Sequence, residues 1–586
     1  MTTTAIVGGT VVDGTGAPPT PADVLVEGDR VVAVGPGVAG AGTRLEQDTT
    51  VIDATGQMVA PGFVDLHTHY DAQLFWDPNA SPSPLHGVTT VLGGNCGFSL
   101  APLGRGEADY VIEMMARVEG MPLSALRAGL PWDWSSFGEW LGRLDGRIAV
   151  NAGFLVGHST LRRLVMGERA VGGTATPKDL DALETALHAA LDEGALGFST
   201  SQAHTHNDGA GQPVPSRAAG RDELERLAAA VRAHEGTTVE LIVPGCLNGF
   251  SEEEVDFLAT MSLLADRPVN WNVLGVSAMN PDGVWNQLAA GTAAAARGAT
   301  VVALTLPHSM RLRLSFETGA ILDGLPGWRE VFALPVPERT AALADPDTRR
   351  RLDAGAQSDE AGILRALAQW ERLVFEETFA PENADAEGRS VGEVARARGV
   401  TPFDALLDVV VADELRTGLC PPFPENEADW VLRSETWRDP RVIVGGSDAG
   451  AHLDTMCGAV YSTSLLGDGV RARGLLAWEQ AVRLLTDVPA RLYGLRDRGR
   501  LVPGAYADIA VFDPERIGHG PVRRRDDLPG GSSRLYAEAV GMGHVLVNGV
   551  PIVDGGAFTG AVPGRVLRSG RDTRTVHAGS DWAGAA

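Results

Sequence analysis

His67 and His69 lie one residue apart at the end of the run Pro61-Gly62-Phe63-Val64-Asp65-Leu66-His67-Thr68-His69. Alternate residues of a strand share a face, so both imidazoles point the same way. Two such rings can hold one divalent ion, and Zn2+ is the first choice for nitrogen donors. Taken alone, two close histidines also suit a polar surface; the buried apolar run leading into them favours metal. A second reactive candidate, Asp448, follows Arg441-Val442-Ile443-Val444-Gly445-Gly446-Ser447. A carboxylate just past a buried strand can take a proton from an activated water and pass it to a leaving nitrogen. Capping a following helix is the alternative duty for Ser447 or Asp448.

Such residues act together only if the ends of their strands meet. From Val59 onward, short apolar runs alternate with longer stretches of helical periodicity. The runs fall at 62–66, 89–93, 148–156, 195–200, 238–243, 269–274, 300–306 and 441–445. Uniformly apolar strands alternating with helices imply a parallel sheet buried on both faces, and eight of them imply a closed (β/α)8 TIM barrel. Chemistry in such a barrel sits at the C-terminal mouth, where His67, His69 and Asp448 would gather. A helical insertion at about 307–440, with helices expected over 338–372 and 391–411, follows a barrel strand, where lids and substrate loops grow. Short strand-like runs lie at 4–12, 23–27, 30–34 and 50–53, and again at 507–512, 543–547 and 550–553. They suit small sheets over 1–58 and 491–586, leaving 59–490 as the barrel. The Ala/Gly-rich tail after Arg571 is expected to be disordered.

Composition narrows the class further. The 586 residues carry a formal net charge of −26, which argues against nucleic acid as a partner because phosphate binding needs a basic face. No apolar stretch approaches the roughly 18 residues needed to cross a bilayer, and no secretory pattern opens the chain. No membrane association and a cytoplasmic location are therefore expected. The four cysteines, Cys96, Cys246, Cys420 and Cys457, form no CxxC pair, so a disulfide framework is not expected. Lys178 is the single lysine.

The chain resembles the amidohydrolase superfamily, and within it the N-acyl-D-amino-acid deacylase group. The resemblance is carried by the Pro61–His69 run, Gly94-Asn95-Cys96-Gly97-Phe98-Ser99, Gly157-His158-Ser159-Thr160-Leu161-Arg162, Gly194-Ala195-Leu196-Gly197-Phe198-Ser199-Thr200, Gly445-Gly446-Ser447-Asp448 and Gly499-Arg500-Leu501-Val502-Pro503-Gly504-Ala505-Tyr506-Ala507-Asp508. It implies that His67, His69, Cys96 and Asp448 build the site around one or two divalent ions. That the two chain ends, 1–58 and 491–586, join in one small β-sandwich domain is likewise implied by the resemblance and not by the strand-like runs. Most free cysteines are simply buried apolar residues, so the ligand role of Cys96 rests on the resemblance.

The sequence also departs from the family. Where a histidine is expected at the end of strand five, Thr237-Thr238-Val239-Glu240-Leu241 offers Glu240, and strand six offers Asn270 and Asn272. Glu240 could supply an anionic oxygen ligand, or simply pair with an arginine. Lys178, at a probable helix start, is a poor candidate for a metal-bridging lysine. In the loop after strand four, His204 and His206 reach the mouth, and His206 could replace a missing ligand or act as an acid. His308, after strand seven, has similar access. Arg217 and Arg311 are candidates for clamping a substrate carboxylate, since a guanidinium matches it bidentately. Asn272 joins them as a substrate-binding candidate, while His158 reads as structure behind the site.

These readings predict a metal-dependent hydrolase of a small-molecule amide, most simply an N-acyl-D-amino acid, with Asp448 as general acid and base. The absent strand-five and strand-six histidines keep open a cyclic amide or imide of the hydantoin, lactam or diketopiperazine type. A non-catalytic binding protein on the same barrel is the third reading. A homo-oligomer is compatible with the family, though nothing in the sequence marks an interface.

Overall fold

The computed structural model describes residues 2–39, 49–104, 106–319, 321–421 and 426–582. Eight parallel strands form the centre: Phe63–Asp65, Val88–Gly93, Asn151–Phe154 continued by Val156–Gly157, Gly197–Ser201, Thr238–Ile242, Val269–Trp271, Val301–Thr305 and Val442–Val444. Nearly every residue in them is buried, as the unbroken apolar runs require when helices cover the outside of a sheet. Strands one and eight close the circle through a parallel bridge between Thr68 and Ala449. Two backbone bonds stitch that seam, His69 N–H to the Ala449 carbonyl at 2.7 Å and Asp448 N–H to the His67 carbonyl at 3.0 Å. Closure of the barrel thus brings together residues almost 400 positions apart in sequence.

Several helices begin where local chemistry dictates. Ser136, Thr176, Ser251 and Asn426 each cap a helix reciprocally with the acidic residue three positions on, satisfying amide groups that a first turn leaves without partners. Lys178 is exposed in the first turn of the helix Pro177–Asp192.

Both chain ends contribute to a seven-stranded sheet in which Met58–Pro61 pairs with Ile509–Phe512, so its N-terminal share runs to Pro61, three residues beyond the expected boundary. A four-stranded sheet of N-terminal strands lies against it, and Ile6, Val24, Ile52, Ile509 and Leu546 share one apolar core. The insertion has its own core between Leu314 and Leu419, built on Trp328, Trp370 and Phe403. The helix Glu427–Thr436, inside the span expected for the insertion, packs instead into the barrel core through Trp430 and Leu432.

The tail corrects an expectation. Residues 564–582 run along the barrel, with Leu567 N–H bonded to the Ala152 carbonyl, Arg574 N–H to the Gly494 carbonyl, and Trp582 buried beside Leu567. Composition suggested disorder, but backbone pairing and one large aromatic anchor the segment. The last four residues of the tail lie outside the described residues.

Candidate active site and metal centre

The loop after strand two places a thiol at the mouth. Gly94 takes a left-handed conformation where an added Cβ would meet the Leu155 carbonyl oxygen at 2.1 Å, so only glycine fits. Cys96 itself is left-handed at φ 55°, a conformation that a non-glycine side chain adopts only under surrounding constraint. That constraint is visible: Asn95 Nδ2 donates to the Thr68 and Leu92 carbonyls, and Ser199 Oγ holds the Gly94 carbonyl and the Gly97 amide. Cys96 Sγ consequently sits 3.4 Å from His67 Nε2.

The other donors converge on the same point. Asp448 Oδ1 lies 3.0 Å from His69 Nε2 and 3.6 Å from His67 Nε2. Asp448 is also left-handed, at φ 57°, which turns its carboxylate back over the seam between strands one and eight. Glu119, which caps the C-terminus of the helix Ala108–Val118, brings Oε2 to 3.5 Å from His69 Nε2. Donor atoms of His67, His69 and Cys96 all lie within 4.8 Å of one another, as do those of His69, Glu119 and Asp448.

These separations fit a metal. Ligand bonds of about 2.0–2.3 Å to a tetrahedral ion put neighbouring ligands about 3.3–3.8 Å apart. Three of the four measured gaps fall in that range, and the His69–Asp448 gap is slightly shorter. Imidazole nitrogen, thiolate sulfur and carboxylate oxygen together are a donor set suited to zinc.

Without an ion the electrostatics of this cluster are strongly perturbed. Burial pushes His67 down to about 3, and the neighbouring His69 adds to it. Burial also opposes a proton on His69, but the carboxylates of Glu119 and Asp448 outweigh it and hold that ring up at about 10. Burial and the nearby carboxylates raise the Cys96 thiol well above its ordinary value. Burial raises Glu240 to about 8. Burial works against ionising Asp448 as well, yet the bond and charge of His69 keep its carboxyl far below the usual range. A bound cation favours deprotonated ligands throughout such a cluster.

The remaining candidates take different places. Both oxygens of Glu240 are engaged, Oε2 by the Cys96 amide at 2.9 Å and Oε1 by the side-chain amide of Asn272. Glu240 therefore stands behind Cys96, outside the two donor groups, and Asn272 supports it. His206 Nδ1 bonds Ser201 Oγ at 2.7 Å and its ring packs on Phe98, close enough to His69 and Asp448 to feel their charge. His204 is exposed. Arg217 is committed to its own loop, donating to the His206 carbonyl and Asn207 Oδ1. Arg311, expected as a carboxylate clamp, is 71% exposed and pairs with Glu376 of the insertion at 3.2 Å. His308 lines a second cleft of about 480 Å³ with Val273, Gln287 and Arg433, which contains none of the donor residues. His158 is buried against Glu223 at 2.8 Å and Thr200 at 2.9 Å, behind the site as expected.

Two residues of the site were missed. His452, four positions after Asp448, brings Nε2 to 3.6 Å from Asp448 Oδ2; its spacing was visible, but it follows a turn whose course the sequence does not reveal. Glu119 gave no signal, since a glutamate ending an amphipathic helix reads as a solvated residue. Asp448, His452 and residues 116–118 and 120–122 line a cleft of about 870 Å³, completed by Thr205 and Asn207, the insertion, and Arg524 with residues 530–533. Among the described residues, no helix is long and apolar enough to cross a membrane.

Comparison with known proteins identifies the family. A model of the amidohydrolase family matches residues 50–553. A D-aminoacylase of Alcaligenes xylosoxydans xylosoxydans is 30% identical over 575 residues, with 96% of each chain covered. An N-acyl-D-glutamate deacylase of the same organism is 30% identical over 586 residues, again with 96% of each covered. The crystal structure of N-acyl-D-glutamate deacylase from Bordetella bronchiseptica, complexed with zinc and a phosphonate mimic of the tetrahedral intermediate, superposes with a TM-score of 0.62 at 25% identity, covering 97% of this chain and 99% of that one. Alike in sequence and fold along almost its whole length, the chain belongs to the amidohydrolase family, in its D-aminoacylase group, and is a hydrolase of carbon–nitrogen bonds other than peptide bonds.

Proposed function

We propose that this enzyme removes the acyl group from an N-acyl-D-amino acid, using a divalent ion, most simply zinc, held at His67, His69 and Cys96, with Asp448 as general acid and base. The observation that carries the reading is the convergence of Cys96 Sγ and Asp448 Oδ1 on the two histidine Nε2 atoms, at 3.4 Å from His67 and 3.0 Å from His69. Near-full-length similarity to two D-specific deacylases supports the substrate class.

When bound, the ion supplies Lewis-acid activation of a water and of the amide carbonyl. The chain's own residues do the rest. The side chain of Asp448 is 22% exposed, against 6% for His67 and 1% for His69, so it is the member of the cluster that faces the cleft. It takes a proton from the attacking water and returns it to the departing amine nitrogen. His452, against the other oxygen, orients that carboxylate. The polar groups of Thr205, Asn207, Ser532 and Ser533 offer hydrogen bonds to the substrate's amide and carboxylate along the cleft.

A cyclic amide remains the second reading, because Glu240 and Asn272 stand where the resemblance leads one to expect histidines. We also read the chain as two domains, 1–58 with 491–586, and a barrel over 59–490 that includes the insertion; the apolar core of Ile6, Val24, Ile52, Ile509 and Leu546 supports the division, while Phe512, Met542 and Val545 of the same segments pack into the barrel core.

The test is amine release from a panel of N-acetyl-D- and N-acetyl-L-amino acids, alongside release of acid on ring opening of hydantoin and dihydrouracil. Turnover of the D series alone is expected. Ring opening without deacylation would replace the proposal by the second reading, and turnover of neither class would sink both.

A further inference from the structure

We propose that Glu119 is a protein ligand of the divalent ion, binding it from the His69 side as Cys96 does from the His67 side. The inference rests on the reading of the cluster as a metal centre, but Glu119 lies outside the motifs that suggested that centre. It comes from the end of a helix in the wall of the cleft, not from a barrel strand.

Three observations carry it. First, Glu119 is only 3% exposed, and a buried carboxylate is tolerated when a cation faces it. Second, its Oε2 points at His69 Nε2 from 3.5 Å, while Asp448 Oδ1 approaches the same nitrogen from 3.0 Å. Two carboxylates flanking one imidazole put two negative charges around one ring, and a divalent ion balances that arrangement. Third, the donor atoms of His69, Glu119 and Asp448 all lie within 4.8 Å of one another, and the Glu119–His69 gap of 3.5 Å falls in the range of about 3.3–3.8 Å for neighbouring ligands of one ion. His69 Nε2 has a single lone pair and serves one ion only. The sulfur-containing and oxygen-rich groups that share it therefore describe two sides of one ion position.

The arrangement links metal to the substrate cleft. Glu119 is followed directly by Gly120, Met121 and Pro122, which line the cleft, and its backbone carbonyl accepts a bond from the His452 amide. An ion anchored to Glu119 would fix that wall at the height of Asp448.

The experiment measures Zn2+ affinity by chelator competition for the full-length wild type and Glu119→Gln, with Co2+ absorption spectra of both. We expect at least tenfold weaker Zn2+ binding in the variant and altered Co2+ ligand-field bands, with the thiolate charge-transfer band of Cys96 retained. A second measurement needs no variant: amide hydrogen exchange across residues 108–121 of the wild type, with and without Zn2+, should slow on metal addition. Equal affinity and identical Co2+ spectra in wild type and variant, or unchanged exchange across that segment, would overturn the assignment of Glu119 while leaving a metal site at His67 and His69. Failure of the wild type itself to bind Zn2+ or Co2+ would overturn the metal reading and this inference with it.

Discussion

The barrel mouth and the core shared by the terminal sheets solve opposite problems. The terminal core is apolar throughout: Ile6, Val24, Val31, Ile509, Val511 and Leu546 are each no more than 1% exposed and bring no charge with them. The mouth buries Asp65, His67, His69, Asp71, Glu119 and Glu240, each 5% exposed or less. It also holds Cys96 and Asp448 in left-handed backbone conformations. Apolar burial stabilises the first region without any partner. Buried charges stabilise the second only when something of opposite sign completes it. The comparison teaches where this fold keeps its stability and where it keeps a binding demand.

The sharpest way to break the comparison is at Asp448. Replacement by Asn keeps the shape but removes the proton acceptor, and general acid–base groups typically contribute about 10²–10⁴-fold in rate. The expected outcome is a loss of kcat in that range. A variant that keeps wild-type turnover would remove Asp448 from the chemistry. Metal removal comes next. A ligand present at a thousandfold its Kd stabilises the folded state by about 4 kcal/mol. Calorimetry with excess Zn2+ and then with chelator should therefore show a clear drop in Tm, and an identical Tm in both would mean that the mouth is satisfied without an ion.

How much of this could be read from sequence follows the same divide. All eight barrel strands lie where the apolar runs placed them, because a strand buried on both faces leaves an unbroken signal in the chain. His67, His69 and Asp448 were legible because strand ends carry them to one mouth, whereas Cys96 was legible only through the family resemblance. Glu240 was legible as a residue of interest but not in its role: its carboxylate engages the Cys96 amide and Asn272, a register effect of strands five and six that no single run records. Glu119 and His452 reach the site from a helix end and a turn, whose paths depend on tertiary packing. Arg311 illustrates a related point, since the insertion that carries it also supplies Glu376 as an ion-pair partner, which the sequence does not reveal.

A third prediction tests the quiet side of the comparison. Ile509 is fully buried in the terminal core, and Ile509→Ala removes three side-chain carbons from it. Such truncations cost about 2–5 kcal/mol. Chemical denaturation should show a loss in that range, while kcat, KM and Zn2+ affinity stay at wild-type values. A change in KM would mean that the terminal sheets help to shape the cleft.

The smallest expected effect is the dependence of the metal-free protein on pH, and it separates the two regions without touching activity. Burial raises Glu240 from its ordinary 4.5 to about 8, so the folded chain holds a proton there that the unfolded chain has released. A carboxyl raised in this way contributes stability in full below pH 4.5 and loses it as the pH climbs to 8. His69, raised from 6.5 to about 10, loses its contribution in the same direction above 6.5. His67, lowered to about 3, pulls the other way but only below 6.5. Between pH 6.5 and 8 the mouth therefore loses stability with rising pH, at a slope of about 1.4 kcal/mol per pH unit for each such proton. Glu240→Gln removes one of them, so in chelator its Tm should fall less across that window than that of the wild type. Ile509→Ala, lower in Tm throughout, should keep the wild-type slope, since the substitution removes no titrating group. Equal slopes for wild type and Glu240→Gln would mean that Glu240 is already ionised in the folded protein, and its place would then be among the ligands of the ion.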